Sequence, residues 1–211
     1  MPALRYAPRT VRKGGRPGAL GAFMTPRILQ QTVIHQGWGR YLLLQVDLGG
    51  GVVVERQMDD HGSAACVLPY DAAKRTAFLV RLIRAGPLFK GEPAHLVEAA
   101  AGIIDTGETG EACARREAME ETGLRLGALE PVAFAWASPS ISTERIDLYL
   151  APVTAADRVA AGGGLAEEHE GIEVLEVPLA ELWRATQAGE IHDLKTLVLI
   201  YALHARRPEL F

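Results

Sequence analysis

Only two cysteines occur in the 211-residue chain, Cys66 and Cys113, and they stand far apart. That excludes a disulfide scaffold and fits no metal-ligand spacing; a reduced, cytoplasmic setting is the simplest expectation. Long apolar runs are missing too, none reaching the ~18 residues that a membrane-spanning helix requires. Positive charge is not in excess, 22 Lys and Arg standing against 26 Asp and Glu for a net charge of −4. The chain as a whole therefore has no electrostatic footprint for nucleic acid. The basic opening "MPALRYAPRTVRKGGRPGALGAF" has no apolar centre ahead of a cleavage site, so it does not read as a secretory signal. Neither an internal repeat nor a low-complexity tract is present. What is present is ordinary globular composition, 48% hydrophobic, in a length suited to one domain with a full core and a small appendage.

Residues 1–24 are rich in Arg, Gly and Pro without a period and read as a flexible arm. Residues 25–58 carry three β-rich runs, "RILQQTVIHQ", "GRYLLLQVDL" and "GVVVERQM", parted by "GWG" and "GGG". They predict a small antiparallel sheet, only marginally stable unless it packs on something else. Residues 59–211 then mix strand candidates ("AACVLPY", "RTAFLVRLIR", "PAHLVEAAAG", "LEPVAFAWAS", "ERIDLYLAPV", "IEVLEVP") with helix candidates ("TGEACARREAMEET", "LAELWRATQAGE", "DLKTLVLIYALHARR").

The first helix is crowded with carboxylates. Thr109 is placed to cap its start and Gly123 to take the left-handed position past its end. Glu117 and Glu121 are four apart and share a face, Glu120 flanks it, and Arg116 can fork onto carboxylates nearby. Two readings compete. One is a solvated face laced with ion pairs. The other is a divalent-cation site, since carboxylates this close oppose one another's ionisation until a cation relieves them. An all-oxygen donor set points to Mg²⁺ or Mn²⁺ rather than zinc, and Mg²⁺ commonly shares a substrate phosphate.

Spacing separates the two. Gly102, five residues, Glu108, seven residues, Arg116-Glu117, two residues, Glu120-Glu121, one residue, Gly123 and apolar Leu124 together resemble the complete signature box of the Nudix hydrolases. The resemblance extends over 25–205 to the ADP-ribose and GDP-mannose pyrophosphatase branch, with "AGGGLAEEHEGIEVLEVP" and "AGEIHDLKTLVLI" nearer the GDP-mannose enzymes. It implies an α/β/α sandwich around a mixed sheet. It also implies a homodimer that exchanges the 25–58 sheet, and Mg²⁺-dependent hydrolysis of a nucleoside diphosphate sugar to a nucleoside monophosphate and a sugar phosphate.

By the same resemblance, Glu117, Glu121 and the Ala101 carbonyl hold metal, and Glu120 supports them or ligates directly. Glu170 closes the site, and Glu168 or Glu170 activates the attacking water. On the substrate side it implies Arg84 at the diphosphate, Arg56 near the nucleotide and Trp38 stacked on the base. It further implies Glu144 near the sugar and diphosphate, and Lys195 at the sugar. Bland readings stand beside the last group: Trp38 as a packed turn aromatic, Lys195 as an exposed helix-start lysine. The chain departs from the branch at Arg81-Leu82 and at Ser138-Pro139-Ser140-Ile141, where a polar neighbour and two glycines are usual. Losing those glycines removes a close backbone approach to ligand. A sensor that binds the nucleotide sugar without turnover is the alternative, and the complete box argues against it. No nucleic-acid or membrane partner is expected.

Overall fold

The structure, a computed structural model, describes residues 25–164 and 171–211. The expected arm at 1–24 and the candidates Glu168 and Glu170 lie outside the described residues.

Three strands open the chain: β1 (Arg27–Gln36), β2 (Arg40–Asp47) and β3 (Val53–Asp60), paired antiparallel in the order β1-β2-β3. The turn between β2 and β3 is built on Gly49, Gly50 and Gly51, all at positive φ, a region open chiefly to glycine. β1 is exposed along its whole length, Ile28, Val33 and Ile34 each more than half so.

The main sheet holds seven strands. β4 (Ala64–Asp71) is buried end to end, which is why its sequence is an unbroken apolar run rather than an alternating one. It pairs parallel with β9 (Arg145–Pro152) and antiparallel with β5 (Thr76–Ile83) and β7 (Ala100–Ile103). Beyond these, β6 (His95–Glu98) pairs β5, β8 (Glu130–Trp136) forms one edge on β9, and β10 (Glu173–Pro178) the other on β5. Helices α3 (Leu179–Gln187) and α4 (Leu194–Arg206) cover one face through Leu182, Leu199, Ile200 and Leu203. Helix α2 (Gly110–Glu117) covers the other through Cys113, Ala114 and Ala118. The result is the expected α/β/α sandwich.

Three local features depart from the sequence expectation. "PAHLVEAAAG" forms two strands instead of one, because the Ala99 amide leaves the ladder to donate to Thr196 Oγ1 at 2.8 Å. The chain thereby passes from β5 to β4 just after Glu98. The acidic helix begins at the Thr109 cap, whose hydroxyl accepts from the Ala112 amide, but its last turn, Ala118–Thr122, widens into a π turn that ends at Gly123 with φ 73°. Single wide turns of this kind concentrate at functional sites. A short helix, α1 (Ala85–Lys90), follows β5 where the sequence showed no pattern.

The small sheet is tied to the large one at a single edge. The Asp59 amide donates to the Ile141 carbonyl (2.7 Å), the Thr143 amide to the Asp59 carbonyl (2.9 Å), and the Thr143 hydroxyl to Asp60 (2.7 Å). These bonds bring the β1–β2 turn over the mouth of the cavity described next.

Candidate active site

Gly102 and Glu117 show how the site is packed. A Cβ on Gly102 would stand 1.8 Å from Glu117 Oε1, so the carboxylate occupies the space that any other residue would fill. Glu121 is 3% exposed, and its Oε2 accepts from the Ala101 amide at 3.1 Å. The end of α2 thus sets Glu117 over Gly102, and the π turn sets Glu121 against the β7 backbone. Glu120 lies nearer solvent.

Arg116 binds this group together. Its Nε and Nη2 fork onto Glu108 at 3.1 and 3.0 Å. Nη2 also donates to the Ile103 carbonyl at 3.0 Å, and Nη1 reaches Glu117 at 2.6 Å and Glu120 at 3.3 Å. The guanidinium holds the Glu108 carboxyl below the ordinary carboxylate range, and Glu108 raises the arginine in turn. The charged helix face is thus neither free in solvent nor bare. Cys113 is passive here: burial, then the Glu117 charge, push its thiol up to about 12.

Across a cavity of about 1050 Å³, Ala101, Glu117, Glu120 and Arg116 face Arg84, Lys195, Glu144 and Trp38. Four segments distant in sequence supply the second group: the end of β5, the first turn of α4, the β8–β9 loop and the β1–β2 turn. Trp38, in the β1–β2 turn and 81% exposed, stacks on His61 with ring centroids 5.2 Å apart. His61 Nδ1 bonds Asp59 at 2.9 Å, and its Nε2 lies 3.7 Å from Glu144. Arg56 is not in this wall; it stands exposed on β3 and donates to the Glu55 carbonyl at 2.9 Å.

Arg84 and Lys195 converge on one carboxylate that the sequence reading passed over. Glu98 is 1% exposed and accepts from Arg84 Nε and Nη2 at 2.7 and 2.9 Å, and from Lys195 Nζ. Burial raises its pKa, but the Arg84 hydrogen bonds and the Lys195 charge outweigh that and hold it ionised. Lys195 also donates to Asp193 Oδ1 at 2.8 Å, and Asp193 caps α4 through the Thr196 amide. A signal was available: Glu98 is the lone acid in the apolar run "HLVEAAAG", and a charge in such a run is rarely buried without a partner.

The oxygen donors around Gly102 suit a hard divalent cation: Glu117 and Glu121 carboxylates, a backbone carbonyl at Ala101, and Glu120 at the rim. Among the described residues no three or more His, Cys, Asp or Glu side chains form a metal cluster by themselves. Carbonyl, water and substrate oxygens would have to share the coordination, as Mg²⁺ prefers.

An α/β/α sandwich carrying this loop-helix-loop of carboxylates beside a cavity that Arg84 and Lys195 also line fits a hydrolase of phosphoric anhydrides. Residues 60–197 match the NUDIX domain model, and the chain belongs to the Nudix family of hydrolases. It is 40% identical over 153 residues to the GDP-mannose pyrophosphatase of Cronobacter sakazakii, covering 72% of this chain and 78% of that one. The GDP-mannose pyrophosphatase of Citrobacter koseri is 39% identical over 152 residues, with 72% and 78% covered. A crystal structure of an ADP compounds hydrolase superposes with a TM-score of 0.72 over 90% of this chain and 97% of that one, at 16% identity, and shares the fold.

Proposed function

We propose that the protein hydrolyses the diphosphate of a nucleoside diphosphate sugar of the GDP-mannose type, releasing a nucleoside monophosphate and a sugar phosphate. The observation that carries this reading is the single cavity on which the box carboxylates, two cationic side chains and an exposed indole converge. The likeness to two GDP-mannose pyrophosphatases supports the sugar nucleotide class.

In this reading Glu117, Glu121 and the Ala101 carbonyl hold Mg²⁺, with Mn²⁺ a competent substitute, and Glu120 lends its charge from the rim. Bound there, such an ion would supply neutralising charge to the diphosphate and so favour attack by water. Arg116 holds the Glu117 and Glu120 carboxylates in place through its Nη1 hydrogen bonds. Arg84 offers Nη1, its one nitrogen not engaged by Glu98, to diphosphate oxygens, and Lys195 offers its remaining proton to the sugar phosphate side. Trp38 stacks on the base, braced by His61. Glu144 bounds the sugar, next to the Ile141 loop. Water adds to one phosphorus, the bridging P–O bond breaks, and the water proton leaves. Glu170 is the proposed carboxylate for closing the site, and Glu168 or Glu170 the one that accepts that proton.

The exposed apolar side chains of β1 support a homodimer that exchanges the three-stranded sheet, and Arg56 is then available to a partner's nucleotide. No described helix is long and apolar enough to cross a membrane; we place the enzyme in the cytoplasm. Purified protein with Mg²⁺ should be given GDP-mannose, GDP-glucose, ADP-ribose, UDP-glucose, NADH and diadenosine polyphosphates, with products resolved by chromatography. GMP with mannose 1-phosphate as the fastest products confirms the proposal. Preference for ADP-ribose corrects the substrate, and binding without any cleavage replaces the enzyme with a sensor.

A further inference from the structure

Glu98 is the most deeply buried charge beside the cavity, and nothing in its position lets it touch substrate or metal. It lies at the point where the chain switches from β6 to β7, with the following amide, Ala99, bonded to Thr196 of α4. Three separate pieces of backbone therefore meet there: the end of β5 through Arg84, the β6–β7 switch, and the first turn of α4 through Lys195.

Donor counting gives the consequence. Arg84 spends the Nε proton and one Nη2 proton on Glu98, which fixes the guanidinium plane and leaves both Nη1 protons and one on Nη2 for a ligand. Lys195 spends one proton on Glu98 and one on Asp193, leaving one. Two positive and two negative charges then balance locally, so this quartet attracts an anion by aimed hydrogen bonds rather than by net charge. Both cations also line the cavity, whereas Glu98 stands behind them.

From this geometry we infer that Glu98 is a positioning residue, which holds Arg84 and Lys195 in the orientations that receive the substrate's diphosphate. The inference rests on the function proposed above. It makes a prediction opposite in sign to simple electrostatics. Removing a carboxylate next to a phosphate site adds positive charge, and by charge alone should tighten anion binding. If Glu98 aims the two cations, its removal weakens binding instead.

The test measures kcat, KM and the melting temperature for wild type, Glu98→Gln, Arg84→Lys and the double variant, on the sugar nucleotide that wild type cleaves fastest. Glu98→Gln is expected to raise KM roughly ten-fold, about one charge-assisted hydrogen bond's worth of binding. The double variant is expected to lose less than the product of the single losses, since both changes break one unit. A merely destabilised protein loses active fraction, which lowers apparent kcat at unchanged KM. Should Glu98→Gln fail to melt cooperatively, Glu98→Asp keeps the charge but shortens the reach, and the same KM rise is expected. An unchanged or lowered KM in the folded variant, or losses that multiply, overturns the inference while leaving the proposed function intact. If wild type binds GDP-mannose without cleaving it, the same comparison is read in Kd. If wild type neither cleaves nor binds any sugar nucleotide, both proposals fall, the failure being visible before any variant is made.

Discussion

Gly102→Ala separates the metal site from the fold with one methyl group. The added Cβ would stand 1.8 Å from Glu117 Oε1, 2.1 Å from its carboxyl carbon and 2.7 Å from Oε2. The three nearest atoms all belong to the far end of one side chain, and Gly102 has no positive φ that alanine would resist. Glu117 must withdraw by about 1.6 Å to regain ordinary contact, and a misplacement near 1 Å can cost on the order of 100-fold in rate. That is about 2.7 kcal/mol of barrier. The fold should lose far less, roughly 1 kcal/mol or a few degrees of melting temperature in a domain of this size. The assay pairs thermal melting with kcat/KM under saturating Mg²⁺. A rate within about three-fold of wild type would refute the argument that the Glu117 carboxylate works where it lies over Gly102, a loss at the limit of what uniform small adjustments produce. A drop in melting temperature above ~10 °C would show that the glycine serves the fold instead.

Three further outcomes follow from the same geometry. Glu121→Gln keeps an acceptor for the Ala101 amide but removes the charge, so turnover should fall by about 10³-fold or more while the melting temperature holds; near-wild-type rates would sink the ligand assignment. Trp38→Ala should raise KM by roughly ten-fold or more, the scale of one base–aromatic stack, with little change in melting temperature because the indole is so exposed; an unchanged KM returns Trp38 to the role of a turn aromatic. For pH, Glu108 titrates below its ordinary 4.5 in the folded protein because Arg116 holds it. Its contribution is complete above that value and is lost as pH falls through the depressed one. Melting temperature should therefore decline on acidification below 4.5, and less steeply in Glu108→Gln; parallel curves for the two proteins would show that the Arg116–Glu108 fork adds no acid-sensitive stability.

Local chemistry made much of this molecule legible in one dimension. The carboxylates of the signature box sit within a few residues of one another on a helix and its flanking loop, so their types and intervals carry the candidate site. Thr109, Gly123 and the buried run of β4 were readable for the same reason: capping, left-handed backbone and two-faced burial each act over one element. The proposed substrate side was legible only through resemblance to the family, because Arg84, Glu144, Lys195 and Trp38 come from separate elements and no interval relates them. What the tertiary structure alone decided is how those elements meet. It split "PAHLVEAAAG" at Ala99 because a hydroxyl on α4 competes for that amide, and it thereby set Glu98 between one cation 14 residues before it and another 97 residues after it. It also laid the Glu117 carboxylate over Gly102, whose missing side chain has meaning only once β7 and α2 are packed together. Periodicity and propensity act along the chain; burial of a charge is decided by what folds over it, and that is written in no single stretch of sequence.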